Sequence, residues 1–131
     1  MIVVIDVSGV MEIILQKEKA EIFDNILEKS TVVIAPDLYV SELTNTLWKY
    51  YTNKIYNENE CIEYIQEGIG YIDKFFESKE IWQEALSEGI NNKHSIYDMF
   101  YMVTARRNNG ILLTNDSVLA EICMKNNVRV C

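Results

Sequence analysis

Four carboxylates stand out by where they fall in the chain. Asp6 directly follows the apolar run Ile2-Val3-Val4-Ile5, and Asp116 lies two residues beyond Ile111-Leu112-Leu113-Thr114. Asp98 opens the apolar stretch that leads into the Asp116 run, and Glu42 sits among Leu38, Tyr39, Val40 and Leu43. A carboxylate on a largely apolar helix needs a partner or a cation. Four held close would repel one another and raise each other's pKa. A hard divalent cation removes that penalty, and oxygen ligands with no His or Cys nearby favour Mg²⁺ or Mn²⁺ over Zn²⁺. Such a cation polarises a phosphoryl oxygen and lowers the pKa of a bound water, which is the chemistry of phosphodiester hydrolysis. Singly, each acid has a plainer use: Asp98 as a helix cap, Asp6 and Asp116 as turn residues, Glu42 as surface charge.

The elements that must position these acids are strands alternating with helices. Residues 2–5 (IVVI), 31–34 (TVVI) and 111–114 (ILLT) read as short buried parallel strands, with Val128-Arg129-Val130 as a fourth. Helical spacing fills the gaps: Val10, Ile14 and Leu15, then Ile22, Ile26 and Leu27; Val40, Leu43, Leu47 and Tyr50 after Pro36; Ile62, Ile65, Ile69, Ile72 and Phe76; and Trp82, Leu86 and Ile90. Ser95-Ile96-Tyr97-Asp98 reads as a capping box whose helix runs to about Asn108, where Asn109-Gly110 stops it. Ser117 to Asn126 is a last short helix. The pattern predicts an α/β domain with a parallel sheet, whose chemistry belongs in the crevice beyond the carboxyl ends of the strands. Asp6 and Asp116 are then delivered to one edge of the sheet.

Composition sets outer bounds. With 131 residues, 49% apolar and 24% charged, the chain fits one domain over 1–131 with a self-sufficient core. Cys61, Cys123 and Cys131 are widely spaced and contain no CxxC pair, which argues against a disulfide framework or a zinc site and for a reducing cytoplasm. No apolar run approaches the ~18 residues of a membrane span, and the first residues lack the basic start of a signal peptide. The net charge of −8 excludes nucleic-acid binding by bulk electrostatics, so contact with a phosphate backbone would be local. The acid excess is concentrated between Lys54 and Asn92, with nine acids against three lysines: a solvated helical face, or a dock for a basic partner.

Four segments carry a family resemblance: Val4-Ile5-Asp6-Val7-Ser8, Ser41-Glu42-Leu43-Thr44-Asn45, Ile96-Tyr97-Asp98-Met99-Phe100-Tyr101 and Leu113-Thr114-Asn115-Asp116. In this order and spacing the chain resembles the PIN-domain ribonucleases, most closely the small VapC-type toxins. The resemblance implies a three-layer α/β/α sandwich with a parallel sheet of four to five strands. It maps the family's acidic quartet onto Asp6, Glu42, Asp98 and Asp116, and the polar positions flanking it onto Ser8, Asn45 and Thr114. It implies Mg²⁺- or Mn²⁺-dependent endoribonuclease activity with one or two ions, leaving a 5′-phosphate end. Asn115 and Ser117 stand beside Asp116 where many members carry a further acid, which weakens the case for a second ion. The resemblance also implies a homodimer and a cognate antitoxin with a basic tail.

Other readings are poorly supplied. Metal-free RNA cleavage through the 2′-hydroxyl commonly needs two His, or His with another acid; only His94 exists, and it reads as a loop residue. There is no GxxxxGK loop. A receiver domain would want adjacent acids after the first strand, and an aspartyl-nucleophile phosphatase would want Asp where Ser8 stands. The alternatives that keep the fold are a PIN nuclease of RNA processing outside any toxin pair, and a catalytically silent interaction domain. Candidate phosphate-binding cations are Arg106 and Arg107, two turns along from Asp98, and Lys49, two turns along from Glu42. Tyr39, Tyr97 and Tyr101 could stack on bases or pack internally.

Overall fold

The computed structural model describes residues 1–131. Along the chain run β1 (Ile2–Ile5), α1 (Val7–Ile14), α2 (Ala20–Glu28), β2 (Val32–Pro36), α3 (Leu38–Thr52), α4 (Glu58–Gly70), β3 (Lys74–Phe76), α5 (Ser78–Asn92), α6 (Ile96–Arg107), β4 (Ile111–Leu113), α7 (Ser117–Lys125) and β5 (Arg129–Val130). The sheet order is β3-β2-β1-β4-β5, and every pairing is parallel. From β1 the chain steps through β2 to β3, then crosses back to β4 and β5. Right-handed crossovers therefore lay α1–α4 on one face and α5–α7 on the other, a three-layer α/β/α sandwich. The direction reverses between β1 and β4, which makes their carboxyl ends the switch point where such sheets bind ligands.

Burial follows the sequence pattern at the centre. Val3, Val4 and Ile5 of β1 and Leu112 and Leu113 of β4 are wholly buried, as expected of strands covered on both faces. Helix α6 is buried continuously from Met99 to Ala105, because it packs on β1, β2 and β4 and is covered in turn by α5. A helix enclosed in this way is apolar nearly all round.

The structure departs from the sequence pattern in three places. Helix α4 stops at Gly70, and Phe76, which continues its apolar spacing, belongs to the edge strand β3. Strand β3 is three residues long and starts with an exposed lysine, too little signal to read as a strand. Trp82, Leu86 and Ile90 do mark one face of α5, but that face is turned outward. The buried face carries Ile81, Ala85, Glu88 and Gly89, of which Ala85 and Gly89 are small enough to let α5 approach α6; a Cβ on Gly89 would stand 2.7 Å from Ile96 Cγ2. The capping box at Ser95 does not form. Ser95 makes no side-chain capping bond, and the Asp98 carboxylate turns to His94 instead.

Helix α1 begins against the end of β4. A Cβ on Gly9 would lie 2.6 Å from the Leu113 carbonyl oxygen, a backbone atom fixed in the sheet. Gly9→Ala is therefore expected to destabilise the fold by about 1–3 kcal/mol, the usual range for overpacking against an unyielding neighbour. Urea denaturation of the two proteins checks this; an unchanged midpoint would mean that α1 can lift off β4 freely.

Candidate functional site

The parallel register sets Ile5 opposite Leu113, so Asp6 and Thr114 leave adjacent strands together. Thr114 Oγ1 donates to Asp6 Oδ2 at 2.5 Å and accepts from the Asp116 N–H at 3.1 Å. Ser8 Oγ donates to Asp6 Oδ1 at 2.8 Å and accepts from the Asn115 N–H at 2.8 Å. The Gly9 N–H gives Oδ1 a second donor at 2.8 Å, which makes Asp6 the N-cap of α1. Asp116 is likewise the N-cap of α7, its Oδ1 accepting from the Val118 and Leu119 N–H groups. Two of the four acids thus double as helix caps, set at the positive ends of α1 and α7.

The other two acids come from helices in different layers. Glu42, in the second turn of α3, accepts a hydrogen bond from Tyr101 Oη of α6 at 2.6 Å. Asp98, in the first turn of α6, lies 2.7 Å from His94 Nε2. The sequence reading missed both partners. For Tyr101 a signal existed, since it lies three residues after Asp98 on the same helix. For His94 there was little, because Lys93, in the left-handed conformation (φ 51°), ends α5 and swings the next residue toward α6. The expectation of no His beside the acids is corrected: an imidazole is present, but a single one already directed at Asp98 does not make a zinc site.

Asp6, Glu42 and Asp98 feel one another. Burial pushes the Asp6 carboxyl up to about 6; the Thr114, Ser8 and Gly9 hydrogen bonds pull it down and the Asp98 charge adds to the rise. Burial also raises Glu42, against the Tyr101 hydrogen bond and with help from the Asp98 and Asp6 charges. No lysine or arginine pairs with any of the four. As oriented here, no three His, Cys, Asp or Glu side chains stand together in chelating range; each carboxylate is turned to its own protein donors. By donor chemistry the set suits a hard cation: four carboxylates without a basic side chain to compensate them, three of which, Asp6, Glu42 and Asp98, act on one another.

The remaining sequence candidates divide. Ser8 and Thr114 belong to the Asp6 network. Asn45 and Lys49 are exposed on α3, clear of that network. Arg106 reaches Glu88 at 2.5 Å and Glu84 at 3.3 Å, and Arg107 donates to the Glu80 carbonyl at 2.9 Å, so both arginines bind α6 to α5. Tyr39 and Tyr101 are buried, and of the three tyrosines only Tyr97 is open to solvent.

The Asp6 environment makes a stability prediction for chelator-treated protein. Its carboxyl rises from the ordinary 3.8 to about 6 in the fold, so the fold prefers the protonated form. That contribution is complete below about pH 4 and is lost as pH climbs through 6, leaving a deficit of about 3 kcal/mol at neutral pH. Asp6→Asn removes the titration, and the Thr114 hydroxyl can accept from the new amide. The variant should therefore gain on the wild type between pH 4 and pH 7, by up to that amount, in urea denaturation. A difference constant with pH would mean that Asp6 is not desolvated.

Comparisons with known proteins place the chain in a family. Residues 3–125 match the PIN domain family. The chain is 25% identical over 124 residues to Ribonuclease VapC3 of Pyrobaculum aerophilum, an alignment covering 90% of this chain and 92% of that protein. Its fold is similar to the crystal structure of PAE2754 from Pyrobaculum aerophilum, with a TM-score of 0.74, 18% identity, and coverage of 93% of this chain and 87% of the other. At that identity the structural likeness speaks for the fold alone. With the profile matched along nearly the whole chain, this protein belongs to the PIN domain family.

Proposed function

We propose that this chain is a divalent-metal-dependent endoribonuclease, the toxin of a toxin–antitoxin pair, with Asp6, Glu42, Asp98 and Asp116 as its catalytic acids. The observation that carries the reading is the electrostatic coupling of Asp6, Glu42 and Asp98, brought from a strand end and two helices, with no lysine or arginine to balance them. An RNA phosphodiester is itself anionic and could not approach such a cluster without a counter-charge. The same kind of activity is named in the relative Ribonuclease VapC3.

Bound Mg²⁺ or Mn²⁺ would supply Lewis-acid polarisation of the phosphoryl oxygen and a water of lowered pKa. Asp6 and Asp116 would hold the ion from rigid strand ends, and Asp98 and Glu42 would hold it directly or through water. Thr114 and Ser8 keep the Asp6 carboxylate oriented. Glu42 or Asp98 would accept the proton of the attacking water. Both arginines are engaged by α5, and of the remaining candidates Lys49 and Tyr97 are exposed.

Purified protein is expected to cleave RNA with Mg²⁺ or Mn²⁺, to stop on chelation and to recover when the ion is restored. Asp98→Asn should lower the rate at least about a hundredfold while leaving the fold intact. Cleavage unaffected by chelation, or by Asp98→Asn, would remove the metal mechanism.

For partners, we propose a homodimer and a cognate antitoxin, acting in the cytoplasm. No helix is long and apolar enough to cross a membrane. An apolar groove between α3 and α4 is lined by Trp48, Tyr51, Cys61, Ile62 and Ile65, with Thr44 and the carboxylate of Glu58 among them. An apolar floor beside negative charge suits an antitoxin segment with basic residues. The outward row Trp82, Leu86 and Ile90 on α5 offers a separate surface for self-association. Expression alone in a bacterial host should arrest growth, and sedimentation should give a dimer at micromolar concentration. Normal growth with active enzyme present would indicate a housekeeping nuclease, and a monomer would overturn the dimer.

A further inference from the structure

Of the four acids, Glu42 is the one whose only side-chain tie crosses between layers. Asp6 and Asp116 are held by the N–H groups of the helices they cap, and Asp98 by His94 in the turn before its own helix. Glu42 lies inside a helix, where no free N–H is at hand, and its long side chain would otherwise sample solvent. Its Oε1 is instead met at 2.6 Å by the hydroxyl of Tyr101. Tyr101 is 1% exposed, and its hydroxyl makes no other hydrogen bond. Burial and the neighbouring Glu42 charge push its ionisation far above the ordinary tyrosine value, so it serves as a donor throughout the working pH range.

We propose that Tyr101 is the positioning residue of the site, holding Glu42 by Oε1 so that Oε2 can join Asp6 and Asp98 around a divalent cation. Tyr101 follows Asp98 by three residues on α6, which places the two on neighbouring positions of one helix surface. Helix α6 thereby supplies one acid directly and fixes another by a hydrogen bond, and a rigid helical turn sets the relation between them. The inference rests on the metal-site reading above.

The test is Mn²⁺ affinity, measured by the electron paramagnetic resonance signal of free ion, with no substrate present. Tyr101→Phe keeps the ring and deletes the donor. It should weaken Mn²⁺ binding about ten- to a hundredfold, the usual effect of losing a hydrogen bond to a metal ligand. In a Glu42→Ala background the same substitution should change the affinity less than twofold, because the acceptor through which Tyr101 acts is gone. Equal binding by wild type and Tyr101→Phe overturns the proposal. So does an equal loss in both backgrounds, which would mark a structural effect. Should Tyr101→Phe not fold, the Tyr101 hydroxyl proton of the wild type serves: a slowly exchanging resonance should be present and should shift on adding Mg²⁺. A resonance indifferent to Mg²⁺ overturns the proposal. If the wild type binds no Mn²⁺ at all, the metal-site reading fails and this inference falls with it.

Discussion

A carboxylate at the end of a central, doubly covered strand loses most of its water, and much of this structure answers that loss at Asp6. Burial raises its pKa to about 6 even with two hydroxyls and a backbone N–H donating to it. Each donor constrains the fold in turn. The Thr114 hydroxyl requires β4 beside β1 in the observed register. The Gly9 N–H requires α1 to start hard against the Leu113 carbonyl, where only glycine fits. Ser8 ties the first turn of α1 to the chain leaving β4 through the Asn115 N–H. The switch point of the sheet is therefore held shut by hydrogen bonds that converge on one carboxylate.

Helix α6 serves both the site and the core. Its first turns carry Asp98 and Tyr101, which meet His94 and Glu42. Its middle is buried against the sheet, and its last turn carries Arg106 and Arg107, which meet Glu88, Glu84 and the Glu80 carbonyl of α5. This division explains why the site stays negative. The two arginines closest in sequence to the acids are held by α5, where Arg106 neutralises the nearly buried Glu88. The four acids are left without a lysine or arginine partner, and both arginines of α6 are engaged by α5.

The outer surfaces follow from which residues the helices chose to bury. On α5, Ala85 and Gly89 face α6 because close helix packing needs small side chains, and the larger Trp82, Leu86 and Ile90 are left outside. On α3, Tyr39, Leu43 and Leu47 fill the buried face, so Trp48 and Tyr51 lie along the groove with α4. Apolar side chains in contiguous rows on an acidic protein are where association with other chains is favoured.

The amino-acid sequence determined the architecture and put Asp6 directly after the first strand and Asp116 just beyond the fourth. Short β-branched runs separated by helical periods read as a parallel α/β sheet, because a strand covered on both faces must be apolar throughout. Acids directly after such runs had to emerge at one edge. The edge strand β3 and the end of α4 were not legible, since three residues with one charged carry no period. The outward face of α5 was not legible either, because periodicity marks a stripe without saying which way it points; that was decided by Gly89 meeting Ile96 across the helix pair. Ser8 and Thr114 were marked in the sequence as flanking polar positions, but which carboxylate oxygen each side chain meets belongs to the tertiary structure. Tyr101 reaches Glu42 over 59 positions of sequence, and Thr114 reaches Asp6 over 108. Spacing along a chain carries no record of such meetings, which depend on strand register and on how one helix lies across the sheet.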